Sequence, residues 1–360
     1  MTIERRPFGT LPSGEAVEEF LLANSNGFRV GIVTYGAIVR EIVAPDREGR
    51  LRDVVLGFDS LEGYLGNHPF FGVTVGRVAG RITDGSFVLE GRRYNLELND
   101  PPNHLHGGSD GFDKRLWSVD RVNESGLTLR YRSPDGENGY PGNLNVAVTY
   151  TVTEENELTI DYSAETDRPT PCSLTDHSYF NLAGEGSGSV ENHELTILAE
   201  EYTPGDENMT LLGRVESVAG KPNDLREPRR LSEVIPRIHK GHGDNYLLVR
   251  EPRKTPVPAA RAVDPDSGRT LEVLTTERCL QLYTGVFLDG TITGKSGRPY
   301  EKHGAFCLEC QGYPDGVNSP EINDIVLRPG EAYKQRTIYR FLIDRQGESK
   351  QRRSAIDPRL

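Results

Sequence analysis

The sequence predicts an all-β protein, a large antiparallel β-sandwich with few short helices. Three observations indicate this fold class. Apolar and polar residues alternate with a period of two in several stretches, 39 glycines and 23 prolines separate many short segments, and no stretch sustains the 3.6-residue period of an amphipathic helix. With 360 residues, the chain is long enough to bury a substantial core.

The clearest strand pattern lies in the middle of the chain. Apolar side chains occupy every second position over residues 144–152, and residues 154–156 have the composition of a turn. The alternation then resumes at Leu158, Ile160 and Tyr162. These features predict an antiparallel hairpin.

Similar patterns occur elsewhere. Short alternating stretches lie at residues 28–32 and 127–131. A second unit is predicted from residues 246–249 through a proline-rich loop and the turn at residues 264–268 to Leu271 and Val273.

Helical patterns are confined to residues 60–65 and 231–235, each long enough for one or two turns. No composition shift or linker divides the chain, so we predict a single domain over residues 1–345. Residues 346–360 are polar and charged, and we predict a disordered tail there.

The charge balance bears on partners. The chain has 54 acidic and 42 basic residues, for a net charge of −12, which would repel phosphate backbones and anionic lipid headgroups. We therefore expect neither nucleic acid nor a membrane as a partner, and there is no apolar run of about 18 residues. The start has no signal-peptide pattern. We expect a cytoplasmic protein that is a monomer or a weak homodimer.

The stretch FCLECQGYPDGVN contains a Cys-x-x-Cys motif, which is typical of redox and zinc sites when it opens a helix or has two further ligands. Here the preceding residues favour a strand, on which Cys307 and Cys310 would lie on opposite faces. We therefore predict free thiols and no metal. Glu309 would lie on the face opposite Phe306 and Leu308, just before a turn, where it is either a solvated glutamate or a functional one.

Two histidines lie in loop-rich segments, His106 in NHLHGG and His177 in LTDHSYFNL. His104 and His106 would share a strand face and form half of a metal site, but no further ligand occurs at a recognised spacing. Asp244 lies in another glycine-flanked turn, where an aspartate commonly caps backbone groups.

Taken together, these motifs resemble the aldose 1-epimerase family, also called galactose mutarotases. The matching segments occur in the family's order over roughly residues 8–345, and they are GRVAGRI (76–82), NHLHGG (103–108), GFDKRLW (111–117), LTDHSYFNLAG (174–184), GHGDN (241–245), QLYTGVFLDG (281–290) and FCLECQGYPDGVN (306–318). The resemblance implies a galactose mutarotase-like supersandwich that interconverts the α and β anomers of a free aldohexose of the glucose or galactose type.

The resemblance also implies roles for individual residues. Glu309 matches the general base, His177 the general acid that protonates the ring oxygen, and His106 a histidine that binds near that oxygen. The positions that match sugar-binding residues are Arg81, Asp244, Gln281 and Gly80.

Two of the matched segments depart from the family pattern. Gly80 stands where an asparagine usually contacts the sugar, which predicts altered hydroxyl recognition. Asp176 stands where an asparagine usually precedes the acid, and its charge would raise the pKa of His177 if the two groups are close.

Anomer exchange needs one group to take the proton of the anomeric hydroxyl and another to give a proton to the ring oxygen. It consumes no electron, water or net proton, so we predict that no cofactor is required. At their ordinary pKa values, a glutamate is ionised and a histidine is partly protonated near neutrality, which suits the two roles. Tyr179 or Phe287 would offer an aromatic surface to the apolar face of a pyranose. Two alternatives remain, a non-catalytic carbohydrate-binding protein and an isomerase of a non-sugar hemiacetal metabolite.

Overall fold

In the computed structural model, which describes residues 1–344, the secondary structure consists mainly of β-strands. The strands of the first half are β1 Thr2–Thr10, β2 Ala16–Ala23, β3 Arg29–Val33, β4 Ile38–Pro45, β5 Leu51–Asp53, β6 Thr74–Val75, β7 Arg81–Ile82, β8 Ser86–Leu89, β9 Arg92–Asn95, β10 His104–Leu105, β11 Ser118–Val122, β12 Gly126–Ser133, β13 Leu144–Val152 and β14 Glu157–Thr166. Those of the second half are β15 Thr170–Pro171, β16 Thr175–Asp176, β17 Glu194–Ile197, β18 Glu201–Thr203, β19 Glu216–Ser217, β20 Arg229–Arg230, β21 Asn245–Leu247, β22 Val257–Val263, β23 Arg269–Thr275, β24 Cys279–Tyr283, β25 Cys307–Gln311, β26 Val326–Leu327 and β27 Tyr333–Ile343.

Three sheets hold most of these strands. The largest has nine strands in the order β11-β12-β13-β14-β27-β23-β22-β17-β20. A five-stranded meander runs from β1 to β5, and a second five-stranded sheet has the order β19-β18-β21-β24-β25. Neighbouring strands in all three sheets are antiparallel, as the alternating pattern predicts.

The central hairpin is confirmed, with β13 and β14 paired from Leu144 opposite Thr166 to Val152 opposite Leu158. The second unit is only partly confirmed. The turn at residues 264–268 joins β22 to β23, but β21 pairs with β18 and β24 in another sheet. The sequence interpretation was wrong here because it assigned VPAARAV, which forms β22, to a proline-rich loop.

Hydrophobic side chains from all three sheets meet in one main core. It includes Phe20 and Ile32 from the meander, Val148 and Tyr339 from the nine-stranded sheet, and Leu308 from the remaining one. The apolar face of each sheet is thereby buried against another sheet, as the prediction of a sandwich requires. A second, smaller core lies beside it and includes Cys307.

Helices are few and short. Both predicted helical stretches are confirmed, as α1 Leu61–Leu65 and as α2 Leu231–Val234, and α3 spans Pro320–Asn323. None of the helices within residues 1–344 has the length and hydrophobicity needed to cross a membrane. The predicted tail, residues 346–360, lies outside the described residues.

Candidate active site

Five of the seven sequence-predicted site residues line one cavity. Its lining comprises Pro69, Phe70, Gly80, Arg81, Thr83, Leu105, His106, Tyr179, Met209, Leu211, His242, Gln281, Tyr283, Phe287, Glu309, Gln311, Pro314 and Asp315. His177 lies beside Glu309, with its Nε2 3.6 Å from the carboxylate Oε2. Asp244 is not among the lining residues, and its carboxylate accepts a hydrogen bond from Asn223 (3.1 Å).

Strand β25 places Glu309 in the cavity. Because successive side chains of a strand point to opposite faces, Leu308 and Cys310 enter the main core, whereas Cys307 enters the second core and Glu309 faces the cavity. This confirms the predicted opposite facing of Cys307 and Cys310, and all four cysteines are free and buried. In the pairing of β24 with β25, Gln281 lies directly opposite Glu309.

His177 comes from the segment that follows β16, which pairs with β6. Its ring stacks on Tyr179, with 5.1 Å between ring centroids, and on Phe70, with 5.9 Å. These two ring contacts fix the orientation of the imidazole and help to exclude water from it. Its Nδ1 is buried without a hydrogen-bond partner.

His106 contributes a second imidazole, whose Nδ1 accepts a hydrogen bond from the backbone N–H of Gly80 (3.2 Å). In the neutral ring, that bond leaves the proton on Nε2. His106 therefore acts as a hydrogen-bond donor on its free side.

His106, His177 and Glu309 have potential ligand atoms that all lie within 4.8 Å of one another, so by residue type they could hold a metal ion. Metal binding needs a lone pair on the imidazole nitrogen, and the proton on His106 Nε2 occupies it in this tautomer. His104 does not join the group, because Glu97 O and the Tyr140 hydroxyl bind its two ring nitrogens at 2.8 Å each. The arrangement fits proton transfer better than metal ligation.

Burial shifts the pKa values of the site toward neutral groups. Desolvation raises the pKa of Glu309 to about 8, a shift that the Arg81 guanidinium partly opposes. Desolvation lowers the pKa of His177 to about 4, and it lowers the pKa of His106 well below its usual range. Both shifts run against the sequence expectation of an ionised glutamate beside a protonated histidine, because desolvation favours the neutral form of each group.

Asp176 does not raise the pKa of His177. Its side chain points away from the cavity, and its Oδ1 accepts hydrogen bonds from Tyr339 and from the backbone N–H of Ser178, both at 3.2 Å. Burial raises the pKa of Asp176 to about 7. Alternation along the chain thus puts the two neighbours on opposite faces.

The remaining predicted residues carry polar groups at the cavity wall. Arg81 Nε donates to Asp100 (2.7 Å), which orients the guanidinium, and Gln281 Nε2 donates to the carbonyl of Leu282 (2.7 Å). Tyr179 and Phe287, the two proposed aromatic surfaces, both line the cavity, and Phe287 is 63% exposed at its mouth.

Sequence reasoning missed Phe70 and His242. Phe70 has a left-handed backbone (φ 62°) that is uncommon for a bulky residue, and its ring contacts those of His106 and His177. The flanking Pro69 and Gly72 were the available signal, because they predict a tight loop. His242 lies beside Tyr283, with 4.9 Å between ring centroids.

Comparison with known proteins gives one consistent result. The model of the aldose 1-epimerase family matches residues 18–340. The galactose mutarotase of Bos taurus is 46% identical over 344 residues, which cover 95% of this chain and 99% of that protein. The aldose 1-epimerase of Escherichia coli K12 is 36% identical over 340 residues, which cover 92% of this chain and 97% of that protein. Among solved structures, an aldose epimerase homologue from C. elegans has a TM-score of 0.86 at 31% identity, and the match covers 92% of this chain and 100% of that one. The galactose 1-epimerase from Lactobacillus acidophilus has a TM-score of 0.82 at 26% identity, and the match covers 96% of this chain and 99% of that one.

Proposed function

Because the chain belongs to the aldose 1-epimerase family, we propose that it interconverts the α and β anomers of free aldohexoses of the glucose or galactose type. The observation that carries the proposal is the contact between His177 and Glu309, 3.6 Å apart at the wall of a cavity that also contains His106. A protein that only binds a sugar has no need of an acid and a base in contact. The family matches and this contact support the same chemistry.

The reaction opens and recloses the hemiacetal. Glu309 takes the proton from the anomeric hydroxyl, the bond between the anomeric carbon and the ring oxygen breaks, and His177 gives its proton to that oxygen. Rotation about the bond between the first two carbons exposes the other face of the carbonyl, and closure reverses both transfers. One proton enters and one leaves, so the enzyme returns to its starting state.

The bound sugar must also move the resident proton. Desolvation favours a protonated Glu309 and a neutral His177, whereas ring opening by the assigned roles needs the proton on His177. A sugar hydroxyl that donates to the carboxylate favours the charged form of Glu309, and so does the positive charge of Arg81. The Nε2–H of His106 is placed to donate to an oxygen of the sugar.

The proposed sugar-binding groups are Arg81, Gln281 and the backbone at Gly80, which line the cavity, and Asp244, which follows the cavity residue His242 by two positions. Arg81 and Gln281 supply donors at the cavity wall. We further infer that residues 1–345 form one domain, since the main core joins side chains from Phe20 to Phe341. The protein would act as a monomer or a weak homodimer in the cytoplasm.

Polarimetry on freshly dissolved α-D-galactose and α-D-glucose tests the proposal. We expect the protein to accelerate the approach to the equilibrium rotation. Binding of the sugars without acceleration would favour a carbohydrate-binding protein instead, and neither binding nor acceleration would favour a non-sugar substrate.

His177→Asn tests the assignment of the acid. We expect a loss of turnover of about 10²–10⁴ with a smaller change in sugar affinity, because the acid acts on the reacting oxygen. Initial rates over a range of sugar concentrations measure both quantities. A loss of affinity with unchanged turnover would make His177 a binding residue.

A further inference from the structure

Gln311 is a buried polar residue of the cavity wall for which the proposed mechanism gives no role. It is 1% exposed and lies two residues after Glu309 on the same face of β25. Its Oε1 is buried without a hydrogen-bond partner. Since buried polar groups are nearly always hydrogen-bonded, an unpartnered amide oxygen at a cavity wall indicates a missing partner.

Gly80 leaves space beside the amide nitrogen of Gln311. A Cβ at position 80 would lie 3.7 Å from Gln311 Nε2 and 3.1 Å from Pro314 Cβ. A side chain there would fill the space in front of the amide, and Gly80 also has a left-handed backbone (φ 77°) that favours glycine. The space therefore remains part of the cavity, because residue 80 has no side chain.

Thr83 and Asp315, two further polar residues of the cavity wall, are already paired with each other. The Thr83 hydroxyl donates to Asp315 (2.6 Å), which also accepts from the Thr83 backbone (3.2 Å) and from Asn318 (2.8 Å). Gln311, in contrast, keeps hydrogen-bonding capacity to spare.

We propose that Gln311 binds a hydroxyl of the sugar through the space above Gly80, at the part of the ring away from the anomeric carbon. The inference rests on the proposed function. Residues two apart on one face of a strand lie about 7 Å from each other. If Glu309 acts at the anomeric hydroxyl, Gln311 reaches a hydroxyl on the far side of the ring.

Gln311→Met tests this assignment because it keeps the length of the side chain and removes the amide. We expect the KM for D-galactose to rise about tenfold with turnover within threefold of the parent. Gln311→Asn keeps the amide but holds it one carbon farther from the sugar, so it should also raise the KM and leave turnover nearly unchanged. This variant covers the case in which the methionine variant does not fold. Gln335→Met is the matched control, because Gln335 is equally buried but donates to the Cys310 carbonyl (2.9 Å), and its KM should stay at the parent value.

A panel of 3-deoxy, 4-deoxy and 6-deoxy-D-galactose separates binding from packing. The parent enzyme should lose affinity for the sugar that lacks the contacted hydroxyl, and Gln311→Met should no longer distinguish that sugar from D-galactose. Equal losses in the parent and the variant for all three sugars would overturn the inference. Calorimetric titration with D-galactose and the deoxy sugars makes the same comparison without measuring turnover. If the parent protein binds D-galactose but is inactive, the proposed function is refuted, and the calorimetric affinities alone decide whether Gln311 binds the sugar.

Discussion

Glu41 and Glu309 are both buried carboxyl groups, yet their pKa values move in opposite directions. Burial alone would raise the pKa of Glu41, but the guanidinium groups of Arg40 and Arg29 outweigh it and lower the pKa. At Glu309 the burial effect prevails, and the pKa rises to about 8.

Contacts explain the difference. Arg40 donates to Glu41 (2.9 Å) and to Glu19, and Glu41 also accepts from Arg29 (2.5 Å). We call Arg40, Glu19 and Glu41 the Arg40 cluster. Glu309, in contrast, faces a neutral imidazole and an open cavity. A buried carboxylate with fixed cationic partners stays ionised, and removing one partner of such a pair destabilises the fold, whereas a buried carboxylate without such a partner has a titratable proton available for chemistry.

The largest expected effect is the loss of activity when Glu309 is replaced, which would distinguish its catalytic role from the structural role of Glu41. Glu309→Gln keeps the shape of the side chain and removes the base, so turnover should fall by about 10³-fold or more, as measured by polarimetry. Undiminished acceleration would show that Glu309 is not the base.

Glu19→Gln should show the converse behaviour. It removes one partner of a buried ion pair, so we expect the free energy of unfolding, measured in urea, to fall by about 3 kcal/mol. This value is at the low end for the loss of such a partner, because Arg40 still binds Glu41. Turnover of the folded enzyme should stay within threefold of the parent. A variant as stable as the parent would mean that the Arg40 cluster does not stabilise the fold.

Glu309→Gln should also increase stability, and the gain should depend on pH. The unfolded chain releases the glutamate proton near pH 4.5, whereas the folded protein retains it until about pH 8, so the carboxyl group disfavours folding increasingly across this range. Glutamine removes the penalty. The gain in unfolding free energy should be near zero below pH 4.5 and on the order of 3 kcal/mol at pH 7. A gain that is constant with pH would contradict the raised pKa.

The pH dependence of kcat/KM sharpens the comparison further. The pair formed by Glu309 and His177 holds one proton between about pH 4 and about pH 8. Below this range His177 is also protonated and no base remains, and above it no acid remains. The value of kcat/KM should fall about tenfold per pH unit outside the plateau. The two apparent pKa values belong to the pair and not to either residue alone. An acidic limb near pH 6.5 would instead indicate an unperturbed histidine.

Asp176→Asn should have the smallest effect. A negative charge on Asp176 is a minor contribution that raises the pKa of Glu309, so its removal should move the alkaline limb to lower pH by a fraction of a unit. Turnover on the plateau should be unchanged within about threefold, because the side chain points away from the cavity. A shift of the limb to higher pH would contradict this interaction.

Periodicity was enough to predict the sandwich, the central hairpin and the opposite facing of Glu309 and Leu308 on β25. The approach of His177 to Glu309 could not be derived that way, since 132 positions separate them and only the family resemblance connected them. The protonation state was also unpredictable, because it depends on desolvation that only the packed site reveals. The left-handed backbone of Phe70 could not be predicted either, because tertiary packing overrides the local conformational preference there.

Strand β27 has a consequence for biosynthesis. It is the last strand within residues 1–344, yet it lies between β14 and β23 in the middle of the nine-stranded sheet. Until its residues leave the ribosome, both neighbours present unpaired edges, which are templates for pairing with other chains. Translation that stops even a few dozen codons early would therefore release an aggregation-prone polypeptide rather than a smaller version of the folded protein.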